Sequence, residues 1–195
     1  MKISTMLVLL LMLMHGMTTA DPAGQPTDSE PINQTIAVLR FSNLSNRVEA
    51  GKMFSKQIST ALSERGVRVL PTDETASLLD EVGLSNIPVD REIAQQLGRG
   101  WGVRYILYGS VIEYQYLRRS EPGLKEPVVG ITARLVDVDT GRIVWAFSGS
   151  AAHPETAMES IDALTSTAHA VAKQAVKELM GRMRVEQVNP EKKKG

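Results

Sequence analysis

The sequence predicts an α+β domain, a mixed β-sheet with a C-terminal antiparallel meander flanked by helices. Three observations lead there. The stretch from Arg104 to Ser150 reads as three successive strands, the last two joined by the tight acidic turn Asp139-Thr140-Gly141. The segments before it switch between short β-branched runs and apolar residues at three- and four-residue steps, and a long amphipathic stripe closes the chain. The resulting order, β-α-β-α-α-β-β-β-α, combines parallel crossovers at the N-terminal end with sequential antiparallel pairing at the C-terminal end.

Ile36 to Phe41 (IAVLRF) is a short apolar run that fits a largely buried strand, closed by the loop Ser42 to Asn46. From Arg47 to Glu64, Ala50, Phe54, Ile58, Ala61 and Leu62 fall on one helical face, and Gly66 supplies a left-handed cap. Val67 to Leu70 forms the second strand. Pro71-Thr72 then opens a helix expected to bury Ala76, Leu78, Leu79 and Val82, with Gly83 as its stop. Asp90 can cap a further short helix carrying Ile93, Ala94 and Leu97, which Gly98 is expected to end. Gly98-Arg99-Gly100 follows a helix rather than a strand, so it reads as a chain reversal and not a phosphate loop, with Trp101 in the core.

Strand three spans Arg104 to Tyr116. Strict alternation puts Ile106, Tyr108, Ser110, Ile112, Tyr114 and Tyr116 on one face and Tyr105, Leu107, Gly109, Val111 and Glu113 on the other. Beyond Glu113 the strand turns aromatic and charged, with Tyr114, Tyr116, Arg118 and Arg119, which predicts an end projecting past the core. Ser120 to Pro127 reads as a loop, Val128 to Val138 as strand four and Arg142 to Ser150 as strand five, with Ile143, Trp145 and Phe147 on one face. The closing helix, from about Glu155 to Met183, presents Ile161, Leu164, Ala168, Val171, Ala175 and Leu179 as a stripe.

Residues 1–20 carry a positive Lys2, an apolar core from Met6 to Met14 and a small-residue site at Thr18-Thr19-Ala20, the pattern of a cleavable secretory leader. Residues 21–34 are rich in Pro, Ser, Thr, Gly and acids and read as a flexible linker. The domain proper is expected over 35–184, with a basic disordered tail at 185–195. No later run approaches the ~18 consecutive apolar residues of a spanning helix. The chain contains no cysteine, so disulfides, thiol nucleophiles and cysteine acylation are excluded. Formal charge is zero over the whole chain and near −3 from Asp21 to Asn189, which argues against a nucleic-acid partner.

No catalytic constellation is visible. Asp139-Thr140-Gly141 spells the aspartic-protease triplet, but that mechanism needs two carboxylates sharing a proton, and one triplet supplies one. A polar hairpin turn accounts for each of the three residues. Asp137, Asp139 and Gly141 share part of a calcium-loop spacing without its distal bidentate Glu. Beyond the leader the only histidines are His153, in a loop, and His169, on the last helix, so no ligand cluster or His-based relay is visible. No cofactor or metal is expected, and a hydrolase would need a second catalytic group.

The stretches GVRYILYGSVIEYQY and EPVVGITARLVDVDTGRIVW, with a helix following soon after, resemble the PelC family of outer-membrane exopolysaccharide export components. The likeness runs from about Ile36 to Leu179 and is most specific at Gly109-Ser110-Val111, Glu113-Tyr114, Glu126 to Gly130 and the hairpin from Val136 to Trp145. More distantly, the chain is similar to CsgG-type curli secretion proteins and to LpoB-type activators of peptidoglycan synthases. The resemblance to PelC implies a ring at the periplasmic, inner face of the outer membrane that guides a cationic polysaccharide toward a barrel porin. An activator of the LpoB kind would instead be a monomer on a long tether, and the linker here is short. The PelC family normally carries a lipidated cysteine, which this chain lacks, so the chain would be held by protein contacts, by a peripheral membrane contact such as Phe147, or not at all.

Glu113, Glu121 and Glu126 are the candidate cargo carboxylates, bracketing the projecting end that also carries Tyr114, Tyr116, Arg118 and Arg119. Asp137 and Asp139 are candidates for turn geometry or subunit contacts. Free strand edges together with Tyr114-Gln115-Tyr116 predict a homo-oligomer.

Overall fold

A computed structural model of the chain describes residues 34–85, 87–118, 125–152 and 161–188. The elements are β1 (Ile36–Val38), β2 (Ser42–Asn43), α1 (Ala50–Ser63), β3 (Val69–Leu70), α2 (Thr72–Glu81), α3 (Arg91–Trp101), β4 (Tyr105–Arg118), β5 (Lys125–Asp137), β6 (Arg142–Ala152) and α4 (Ile161–Val188). They build one sheet in the order β3-β1-β4-β5-β6, with β2 also pairing β4. β1 runs parallel to both β3 and β4, while β4, β5 and β6 form the antiparallel meander, so the α+β mixed sheet is the fold observed.

Helices cover the sheet unequally. On one face, α1 and α4 bury Phe54, Ile58 and Leu62 and the stripe Leu164, Ala168, Val171, Ala175 and Leu179 against Leu107, Val111, Ile131, Leu135 and Trp145. On the other, α2 and α3 seal a smaller cluster of Leu79, Ala94 and Leu97 over Ala37, Leu39, Ile106, Val136 and Val138. Each large side chain buried there contributes about 1.5–3 kcal/mol relative to exposure.

Two one-residue bulges redirect the alternation. Val111 pairs Ile131 but Glu113 pairs Gly130, so Ile112 is an extra residue, 47% exposed. Past it the faces exchange: Tyr114, opposite Val129, joins Leu107 and Val111 in the core and is 2% exposed. Tyr114 therefore does not project past the core, and Tyr116 packs partly against it. A second bulge at Val144 lets Leu135 pair Trp145 while Val136 pairs Ile143, which places exposed Ile143 on the face opposite Trp145 and Phe147.

Other boundaries move for local reasons. α3 continues through Gly98 to Trp101 and ends at Gly102, whose φ is 64°. A Cβ at Gly98 would lie 2.3 Å from a Val138 methyl, so this glycine serves close packing of α3 on the end of β5 rather than termination. Asp90 does cap α3, accepting the Ile93 N–H at 2.8 Å. Val82 follows α2 as its C-cap and is exposed. β5 begins at Lys125, so Glu126 and Pro127 belong to a strand; Pro127, lacking a donor, sits just before the Val128–Ala152 pair where β6 ends.

The apolar run after Ile36 breaks at Arg40-Phe41 and resumes as β2, so part of the expected loop is strand. Two buried hydroxyls hold the break. Ser55 of α1 accepts the Phe41 N–H at 2.9 Å and lies 2.8 Å from the Gly51 carbonyl, while Thr75 of α2 donates to the Val38 carbonyl at 3.0 Å. The sheet end is thus tied to a helix on each face.

Candidate interaction surface

Residues directly opposite each other in an antiparallel ladder share a face. On the α2/α3 side this face carries Tyr108 with Arg134, Ser110 with Thr132, Glu113 with Gly130, Gln115 with Val128 and Leu117 with Glu126. β6 continues it with Ala146, Ser148, Ser150 and Ala152, all exposed. No residue of the α2/α3 cluster lies on the distal half of this face beyond Tyr108 and Val136; there the β6 side chains are small or hydroxylated and exposed, while Val128 of β5 is buried.

Glu113 and Glu126, both half-buried, lie on this face about four residues apart along the ladder, on the order of 13 Å. Tyr114 and Tyr116 belong to the opposite face, and Arg118 pairs Lys125 at the end of the hairpin. Arg119, Glu121 and His153 lie outside the described residues, as do residues 1–33 and 189–195.

β6 is an edge strand with Arg142 as its one charged residue. Its inward residues Trp145 and Phe147 stack at 5.9 Å between centroids and 11° between planes; both are buried. Phe147, 7% exposed, packs in the core and does not stand out from the strand as a membrane contact would. The serines and alanines opposite escaped the sequence reading, although the spacing Ala146-x-Ser148-x-Ser150-x-Ala152 is the available signal.

The acidic turn at the other end of the meander is tied into the sheet by hydrogen bonds. Asp137 is buried and accepts from Arg104 Nη2 at 2.6 Å and from the Thr140 N–H at 3.0 Å, while its carbonyl accepts the Gly141 N–H at 2.8 Å. Asp139 is exposed and pairs with the other terminal nitrogen of Arg104. The glycine of the turn has φ 66°, so the Asp-Thr-Gly triplet is a hairpin corner. His169 contacts Gln57 at 3.1 Å on the far side of the sheet. Among the described residues, no group of three or more His, Cys, Asp or Glu could hold a metal ion, and no helix is long and apolar enough to cross a membrane.

Burial raises the phenol pKa of Tyr108 and, against the Arg47 charge and a Thr165 hydrogen bond, that of Tyr114. The folded state therefore keeps these protons where the unfolded chain releases them, near pH 10. Their contribution to stability is whole below that pH and is lost as pH climbs beyond it. Spectrophotometric titration should show a late phenolate limb that Tyr108→Phe and Tyr114→Phe together remove. A single phenolate limb with its midpoint at about pH 10 contradicts this.

The family model described as "Putative lipoprotein GNA1162-like" matches residues 27–188. No curated protein matches the chain. Among solved structures, it is similar to lipoprotein GNA1162 from Neisseria meningitidis, at 24% identity over 74% of this chain and 99% of that one, TM-score 0.57. It is also similar to the PelC dodecamer from Paraburkholderia phytofirmans, at 23% identity over 73% and 86% of the two chains, TM-score 0.52. Protein XCC0632 from Xanthomonas campestris matches at 12% identity over 83% and 93%, TM-score 0.57. At these identities the likeness is one of fold.

Proposed function

Since the chain belongs to the GNA1162-like family, we propose that it is a non-enzymatic component of the cell envelope that assembles into a homo-oligomer and guides a cationic exopolysaccharide toward an outer-membrane porin. In this reading, leader 1–20 delivers the chain to the periplasm, linker 21–34 spaces it from the inner face of the outer membrane, residues 35–184 form the working domain and 185–195 a basic tail. The observation that carries the reading is the distal meander face, where Glu113 stands beside Gly130 and Ser150 of the edge strand β6 and Glu126 lies on the same face beyond the last β5–β6 pair.

An exposed edge of eleven residues without proline or an internal charge invites strand pairing, and a second copy is the simplest cover. The dodecamer formed by the similar PelC structure supports the same reading. Carboxylates on a flat face attract a polycation over about a Debye length, ~8 Å at physiological ionic strength.

Light scattering on the purified chain, paired with titration of chitosan oligomers at rising salt, tests the proposal. An oligomer is expected, with salt-sensitive binding that Glu113→Gln with Glu126→Gln weakens several-fold. A strict monomer at high micromolar concentration, or binding indifferent to both salt and the two substitutions, would sink it.

A further inference from the structure

The sheet contains a second candidate site, remote from the distal meander face. β1 lies between β3 and β4, and the chain leaves β1 toward α1 on one face and β3 toward α2 on the other. Connections that diverge in this way open a crevice beyond the carboxyl ends of the parallel strands, the place where open sheets of this kind receive small ligands.

The crevice is present here. A cavity of about 380 Å³ opens beside Phe41 to Leu44, the first turn of α1, Leu84, Ser85 and Ile87 to Val89. A small cleft adjoins it between α1 and the start of α2, lined by Lys56, Thr72 and Asp73, and Arg40 and Lys52 line both. The volume lies in the range of small-molecule sites, about 300–1,000 Å³.

Apolar and charged residues share its walls. Leu44 and Ile87 are large apolar residues left 69% and 48% exposed, and Leu84, Pro88 and Val89 line the cavity as well. Arg40 and Lys52 line it together with Glu49, and both extend into the adjoining cleft, where Lys56 joins them. Lys52 pairs with Glu49 at 3.4 Å, whereas Arg40 and Lys56 make no ion pair among the described residues. Asp73 lines the same cleft, where the three cations Arg40, Lys52 and Lys56 outnumber it.

We infer that this crevice binds a phosphate-headed amphiphile, its head between Arg40 and Lys56 and its apolar body along Leu84, Ile87 and Pro88. Two cations with no ion pair among the described residues match a phosphomonoester, which carries about −1.5 to −2 at neutral pH. A single carboxylate would leave one of them unmatched. The apolar wall explains why a bare anion is not the whole ligand: exposed leucine and isoleucine side chains gain by covering and inorganic phosphate covers nothing. The inference is independent of the export reading, since no residue of the crevice lies on the distal meander.

The probe is n-hexyl phosphate, titrated into the isotope-labelled full chain. Saturable amide shifts confined to residues 40–44, 52–56, 72–73 and 84–89 are expected, with inorganic phosphate at least tenfold weaker and 1-hexanol inert. Arg40→Gln with Lys56→Gln should weaken hexyl phosphate at least tenfold while the thermal midpoint stays put, and Ile87→Ser should weaken hexyl phosphate but not inorganic phosphate. Cosedimentation with phosphatidic-acid vesicles that the double variant abolishes assigns the head group to a lipid. Hexyl phosphate binding without cosedimentation assigns it to a soluble ligand. The inference fails if hexyl phosphate gives no saturable shifts, if the double variant binds it as the parent does, or if 1-hexanol binds equally well.

Discussion

Replacing Asp137 with Ala lowers the stability of the domain by about 3–5 kcal/mol, the range for removing one partner of a buried ion pair. The carboxylate is buried, so it has no water to fall back on, and it holds Arg104 at the start of β4 to the end of β5. Arg104 is already stretched in its bonding, for its buried Nε has no hydrogen-bond partner among the described residues. Without Asp137, the guanidinium is left partly desolvated with the exposed Asp139 alone, and the Thr140 N–H loses its acceptor. Asp139→Asn supplies the contrast. Its side chain is 69% exposed, exposed ion pairs contribute less than about 1 kcal/mol, and Asn tolerates the turn. Urea midpoints of the two variants should differ widely. Equal midpoints would mean that the Arg104 cluster does not hold the meander together.

The second large effect belongs to Gly109. A Cβ there would lie 2.0 Å from the Thr132 carbonyl oxygen, 2.6 Å from the Phe41 ring and 2.9 Å from the Ala133 Cα. Two of these three are backbone of the neighbouring central strand, which cannot step aside without breaking its ladders to β4 and β6. Gly109→Ala is therefore expected to cost about 3 kcal/mol or more by overpacking. Gly130, on the same pair of strands, is the control: a Cβ there meets neighbours at 3.5 Å and beyond, ordinary contact distances. Gly130→Ala should stay within about 0.5 kcal/mol of the parent in denaturant unfolding. Similar losses at the two positions would contradict the packing of Phe41 under β4.

The features that were legible in the sequence depend on local periodicity. The stripe from Leu164 to Leu179 keeps its phase through the described part of α4, Asp90 caps α3, and Gly141 turns the hairpin, each decided by a few neighbouring residues. What escaped depends on partners remote in sequence. Nothing around Ile112 or Val144 marks an extra residue, yet each bulge exchanges the faces of everything beyond it, and so Tyr114 was expected to project when it is core. Gly98 looked like a terminator because the Val138 methyl that requires it lies forty residues on. The two surfaces met a similar obstacle. Glu113 and Glu126 are visible as acids, but only the register puts them on one face, and only the packing of α1 on the end of β1 brings Arg40 and Lys56 to one cleft.

The bulge at Ile112 also decides where this fold can change length. In a ladder of strict alternation, losing one residue inverts every side chain beyond the loss and delivers core to solvent. Ile112 has no partner on β5, and the residues on either side of it, Val111 and Glu113, already face opposite ways. A descendant lacking this residue would keep Tyr114 inward and Glu113 outward, so its longest strand could shorten by one position and still present the same two surfaces.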